Sequence, residues 1–382
     1  MFAVVRGETG RRFRRARRVL STLAAARREN PRRSRRARRG DAISGWLFLA
    51  PTLVVLGLFF AVPVLMAAWV SVSGWRGVGS PFTAGVPFVG GANYAKLLSG
   101  GSLAEQEFGT ALRNNLWYVV FVVPLQTAVS LGLALLVNRG IRRGSGVFRT
   151  AFYFPSVTSS VAITVLWLFL FSSTGAVNEV LSWLHVHGPN WFNEPSGILH
   201  DLLGAFGVHQ GPAALTQHDL LGVSWWDWLA GPSVAMSAFV LLAIFTTSGT
   251  FMLLFLAALQ NLSADVDEAA RIDGAGGWTR FWRVTFPQLR PTLFTVLTLG
   301  LIGTWQTFDQ IYTGTKGAPA NTTLTPAYLS YKDALGSQDW GVGAAIGFIL
   351  FAIIVVFTLF QRWALRERPI SRRRRILGKD AS

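Results

Sequence analysis

The sequence predicts an all-α integral membrane protein with six transmembrane helices and both termini in the cytoplasm. Three observations carry that reading. Hydrophobic residues fill 51% of the 382 positions and charged residues only 14%, where a soluble domain has roughly 25% charged. Six segments come close to the ~20 apolar residues that cross a bilayer core. The 36 Lys and Arg residues are partitioned unevenly between the connections on the two sides of those segments.

The segments lie at 46–72, 116–137, 152–171, 233–260, 292–312 and 341–360. Five contain no Asp, Glu, Lys or Arg, and the fifth carries Asp309 near its far end. Helices are the expected form, because backbone groups in lipid must be satisfied within the segment. The N-terminal tail, the second–third loop, the fourth–fifth loop and the C-terminal tail hold 31 of the basic residues. The other side holds five: Arg76, Lys96, Arg113, Lys316 and Lys332. Positive charge accumulates on the cytoplasmic side, so both ends lie there and the number of spans is even.

Residues 1–45 form an Arg-rich tail with 15 arginines, expected to be disordered, cytoplasmic and in touch with anionic lipid. A twin-arginine export signal at Arg11-Arg12 lacks an apolar core at 19–26. A nucleic-acid-binding arm lacks interleaved aromatics, Phe13 being alone. The six-helix domain covers 46–363, and a basic cytoplasmic tail follows at 364–382. The extracytoplasmic loop at 172–232 has no Lys or Arg and contains all five histidines. Short surface helices fit 177–184 and 197–206. Trp225, Trp226 and Trp228 precede the fourth span, where indoles favour the membrane interface. His185 and His187 lack further ligands at a site-like spacing, so no metal is expected. The absence of cysteine excludes disulfides and thiolate chemistry. In the sixth span Gly343 and Gly347 form a small-xxx-small pair suited to helix packing.

The most informative connection runs over 263–291. Ser263 is placed to cap a helix whose first turn is acidic, with Asp265, Asp267 and Glu268. Val266, Ala269, Ala270 and Ile272 make one side partly apolar. Gly274 permits a turn that a side chain opposes, and Gly276-Gly277 extends it. A second helix at 278–284 presents Phe281 and Trp282 beside Arg280 and Arg283; Pro287 should stop it, and Pro291 should open the next span. Helices this short need a surface to dock on. On spacing alone, a membrane-surface pair and a docking element for a cytoplasmic partner fit equally well.

Glu268, Ala269, Ala270, Asp273, Gly274, Ala275, Phe281 and Pro287 together resemble the EAA motif of the permease subunits of binding-protein-dependent ABC importers. The resemblance extends over about 46–363 and is to the carbohydrate branch, the maltose and glycerol-3-phosphate permease type. Supporting pieces are Phe88-Val89-Gly90-Gly91-Ala92-Asn93-Tyr94, Phe148-Arg149-Thr150-Ala151-Phe152-Tyr153-Phe154-Pro155 and Gly175-Ala176-Val177-Asn178. Departures are Asp267, where an aromatic often precedes Glu-Ala-Ala, and Phe245, where such permeases often carry tryptophan.

The resemblance implies a type I ABC importer permease fold in the bacterial cytoplasmic (inner) membrane. It implies a second permease chain, two ATP-binding subunits and an extracytoplasmic solute-binding protein that delivers a carbohydrate. Glu268, Ala269, Ala270, Arg271, Asp273, Gly274, Ala275, Phe281 and Pro287 would then couple to the ATPase. ATP and Mg belong to the partner subunits, so this chain itself is expected to hold no cofactor and to be no enzyme; it has no Gly-x-x-x-x-Gly-Lys-Ser/Thr loop. Polar residues within spans suggest a translocation path: Trp305, Gln306, Phe308 and Asp309 in the fifth. Thr246, Thr247 and Ser248 in the fourth read better as packing. A membrane enzyme would bring ionisable groups together within the spans. A secondary transporter would show more intramembrane charge and inverted repeats. A nucleic-acid binder would gather its basic residues on one folded face.

Overall fold

The computed structural model describes residues 31–99, 101–140 and 144–365. The expectations for 1–30, for Arg142 and Arg143, and for 366–382 lie outside them. Among the described residues, those up to Ala67 make one unit and those from Ala68 a second.

The first unit is a helical run. Helix α1 (Pro31–Leu56) leads through a π-turn at Gly57–Ala61 into α2 (Val62–Ser71), whose last four residues belong to the second unit. Within it Leu47, Phe48, Phe59 and Leu65 are all exposed, as an apolar helix solvated by lipid would be. The helix begins at Pro31, well before the expected edge of the span.

The second unit is built on α4 (Leu103–Gly140), preceded by the short α3 (Ala92–Leu98). At ~1.5 Å per residue, its 38 residues exceed the bilayer core, so part of it projects beyond. Along it lies α9 (Val234–Gln260), capped by the Ser233 hydroxyl, which accepts from the Met236 N–H at 2.9 Å. One end of the interface is filled by Phe108, Tyr118 and Val122 of α4 against Met236, Phe239 and Leu242 of α9. The other end is filled by Ala134 and Val137 against Met252, Phe255 and Leu259. Midway, Gln126 of α4 accepts from Thr247 at 2.7 Å. Thr246 and Thr247 also bond carbonyls of their own helix, in keeping with packing.

The expected span 152–171 is bent. Helices α5 (Ser145–Val157) and α6 (Ser160–Leu170) meet at 99°. Pro155 removes a donor in the last turn of α5. The Ser156 and Thr158 hydroxyls bond the carbonyls of Tyr153 and Phe154, competing with helix continuation. The fifth expected span is also divided. Helix α13 (Arg290–Trp305) stops after 16 residues, and α14 (Asp309–Thr313) resumes beyond Thr307, whose hydroxyl bonds the Thr304 carbonyl. Helix α15 (Pro326–Tyr331) and the long α16 (Trp340–Ala364) complete the unit. Among the described residues four helical runs are long and apolar enough to cross a membrane, and five with the bent pair; α13 falls short by length.

The Gly343–Gly347 pair divides by role. A Cβ on Gly343 would meet the Ser330 carbonyl at 2.7 Å, whereas one on Gly347 meets nothing within 4 Å. The loop at 172–232 is folded. Helices α7 (Ala176–Trp183) and α8 (Ile198–Ala205) fall where short helices were expected. A two-stranded hairpin, β1 (Asp219–Leu220) and β2 (Val223–Ser224), rests against α4, where the Leu221 carbonyl fits over Gly109. The tryptophans bind the loop together: Trp226 stacks on His200 at 4.4 Å, and Trp117 donates to the Trp228 carbonyl at 2.8 Å. Among the described residues no group of three His, Cys, Asp or Glu side chains could hold a metal ion.

Candidate functional site

The 263–291 connection forms a helical hairpin. Its first arm, α10 (Ala264–Ile272), starts at Ser263, whose side chain makes no cap bond. The arm ends in a Schellman turn: Ala275 N–H donates to the Ala270 carbonyl and Gly274 N–H to that of Arg271, both at 3.0 Å. Gly274 adopts φ +78 with open space around it, so backbone conformation, and not crowding, requires glycine there.

The second arm is α11 (Gly277–Arg280), a π-turn over Phe281–Thr285, and α12 (Phe286–Gln288). Pro287 does not stop this arm, as the sequence suggests; it sits inside α12. The widened π-turn, in which Phe286 N–H donates to the Phe281 carbonyl, makes room for the ring where a regular helix would clash. Trp278, Phe281, Trp282 and Phe286 brace the arm, with Phe281 5.1 Å from Trp282 and 6.0 Å from Phe286. Pro291 opens α13 as expected.

The two arms are joined by Asp267. Its carboxylate lies 2.9 Å from Arg271, one turn on, and 3.5 Å from Arg280 across the glycine turn. The Arg271 contact is legible as an i,i+4 pair. The Arg280 contact is not, since it depends on how far the turn folds back. The residue that marks a departure from the EAA pattern is thus the one that holds the hairpin closed. Glu268, Ala269, Arg271, Ile272 and Asp273 are exposed; Ala270, Ala275, Phe281 and Pro287 are half-buried. Ile272 is 82% exposed and Trp278 75%. The outer surface therefore combines exposed apolar side chains with acidic ones.

The four fifth-span residues separate. Trp305 is sealed in the core, 5.6 Å from Phe357 and packed with Val119 and Val123 of α4. Gln306 is exposed and lines an apolar groove with Leu350 and Phe351 of α16. Phe308 joins an aromatic group, 5.4 Å from Tyr312 and 5.2 Å from Tyr331. Asp309 is exposed at the start of α14.

One polar cluster had no signal in sequence. Lys96 pairs with Asp339 at 2.8 Å and Lys332 with Glu107 at 3.0 Å. Asp333 lies within their field, its carboxyl pushed up to about 6 by burial first and by Glu107 second. Separations of more than 200 residues explain why linear reading misses it.

The hairpin lies at the ends of helices long and apolar enough to cross a membrane. Residues 126–367 match the family described as binding-protein-dependent transport system inner membrane component, and the chain belongs to that family. It is a multi-pass membrane transport subunit, not an enzyme. The lactose transport system permease protein of Rhizobium radiobacter is 31% identical over 85% of this chain and 95% of its own length. The trehalose/maltose transport system permease protein of Thermococcus litoralis is 30% identical over 84% and 92%. In fold the chain is similar to a bacterial ABC transporter involved in alginate import, with TM-score 0.64, 21% identity, and coverage of 86% of this chain and 97% of that one.

Proposed function

We propose that this chain is one of two membrane-spanning subunits of an ATP-driven importer in the bacterial inner membrane. It passes a carbohydrate delivered by an extracytoplasmic solute-binding protein. The chain crosses the membrane six times, with the bent pair α5–α6 and the divided α13–α14 each serving as one span, and both termini are cytoplasmic. The names of the relatives support the substrate class, since lactose and trehalose/maltose permeases resemble it over most of its length.

The hairpin is the coupling element. Glu268, Ala269, Ala270, Arg271, Asp273, Gly274, Ala275, Phe281 and Pro287 seat it on an ATP-binding partner that holds the ATP and Mg. A rigid, closed hairpin transmits displacement; a loose one absorbs it. ATP drives the cycle by binding the closed ATPase arrangement better than the open one, which shifts the population of the attached spans. Phe308 and Asp309 border the path at the end of the fifth span, with Gln306 at its margin; Trp305 supports them from the core. The single observation that carries this reading is the exposed, acidic-apolar hairpin held closed by Asp267.

A tagged copy extracted in mild detergent should retain an ATPase and a second permease, and sugar uptake should stop when cellular ATP is drained with the ion gradient intact. Uptake that persists under those conditions would favour secondary transport and refute the proposal.

A further inference from the structure

Behind the hairpin, against the C-terminal ends of α4 and α9, is a cleft of about 350 Å³. Its charges do not balance. Arg271 and Arg280 both line it, and among the described residues the only carboxylate within ion-pair distance of either is Asp267. A single oxygen, Oδ2, receives both. The Arg280 side chain is only 16% exposed, and its Nε is buried with no partner. A guanidinium does not deprotonate to escape burial, so a covered one with half a share of a carboxylate calls for a further anion.

The rest of the lining indicates which kind. Asn138, Gln288 (whose amide also donates to the Val284 carbonyl) and the Ser263 hydroxyl, which makes no cap bond, line the same cleft and can donate. Oxygens of a phosphate ester accept several such bonds at once, and arginine meets them in bidentate geometry. The lining also includes apolar side chains, among them Leu135 of α4 and Leu259 of α9. These residues end two helices long and apolar enough to span a membrane, which is the depth of the phospholipid headgroups.

We propose that this cleft binds the phosphate of an anionic phospholipid between Arg271 and Arg280, so that the lipid braces the hairpin against α4 and α9. The inference rests on α4 and α9 being membrane spans and does not depend on the transported solute.

The test uses the full chain purified in detergent, with phosphatidylglycerol, phosphatidylcholine and inorganic phosphate as separate probes and native mass spectrometry as the readout. Wild type should retain phosphatidylglycerol over phosphatidylcholine. Arg280→Gln should weaken that retention about tenfold, the loss of one charged hydrogen-bond set. Arg271→Gln, at a side chain 65% exposed, should weaken it too and carries little folding risk. Arg271→Lys, which keeps the charge but not the bidentate fork, should retain more phosphatidylglycerol than Arg271→Gln and less than wild type, a graded order that a purely structural ion pair would not produce. Equal retention by wild type and Arg271→Gln overturns the proposal. So does saturation by inorganic phosphate without lipid preference, which would assign the cleft to a soluble anion.

Discussion

Gly274 and Asp333 each impose a local condition, one on the backbone and one on charge. Gly274 holds φ +78, and a Cβ placed there would meet nothing within 4 Å, so a substitution is opposed by backbone strain of about 1–2 kcal/mol. Asparagine tolerates that region and valine does not. Gly274→Asn should keep most uptake, while Gly274→Val should insert normally in the membrane yet lose uptake; equal loss in both would mean that the partner, not the turn, excludes the side chain. Asp333 answers to pH. Its carboxyl is raised to about 6 from 3.8, so between those values the folded state binds more protons than the unfolded state. Stability therefore falls as pH rises through that window, and the charged form persists at a cost above it. Lys332 and Lys96 soften that cost, and Glu107 and Asp339 add to it. Asp333→Asn should raise the melting temperature at pH 8 and leave it nearly unchanged at pH 4; the same offset at both pH values would rule out titration of this group as the cause.

At the scale of elements, close approach between helices is enforced at particular glycines. A Cβ on Gly249 of α9 would overlap the Phe152 carbonyl of α5, so the two backbones touch there. Gly249→Ala must push the helices apart and should destabilise the chain by about 1–3 kcal/mol, as overpacking does. Gly347→Ala, with open space around it, should leave thermal stability in detergent as it is; if the two variants melt alike, the α5–α9 contact is not close. The same elements show what is legible in a sequence. The cores of α4, α9 and α16 were readable because an uninterrupted apolar run has one outcome in lipid. So were α7 and α8, and the glycine turn after α10, since each rests on neighbours in the chain. The bend at Thr158–Ser159 and the halt at Trp305 were not, because hydroxyl bonds to nearby carbonyls decide them against strongly apolar surroundings. Pro287 was misread as a stop because a π-turn upstream, invisible to residue spacing, makes room for it. The Arg280 contact and the Lys96 and Lys332 ion pairs depend on fold-back and on distant segments, which no local pattern encodes.

For the molecule as a whole, charge and exposure together make the proposed topology testable. In the proposed topology the hairpin and both termini share one side, the side to which the Lys and Arg bias points. The ion pairs of Lys96 and Lys332, and the loop before α16, then belong to the opposite side. The proposed coupling needs this arrangement, because it has the hairpin reached by a nucleotide-binding partner from one side and solute delivered from the other. The chain has no cysteine, so single cysteines can be introduced without background. Ile272, on the hairpin, and Leu335, before α16, are 82% and 52% exposed, so either position accepts a thiol at little structural cost. In intact cells a membrane-impermeant maleimide should label Leu335→Cys and not Ile272→Cys. In inverted vesicles the pattern should reverse, unless a docked partner covers position 272, in which case stripping peripheral subunits should restore labelling. Modification of both positions from the same side would require an even number of crossings between them. The divided α13–α14 could then not serve as a single span, and a six-span topology with an inward-facing hairpin would not survive that result.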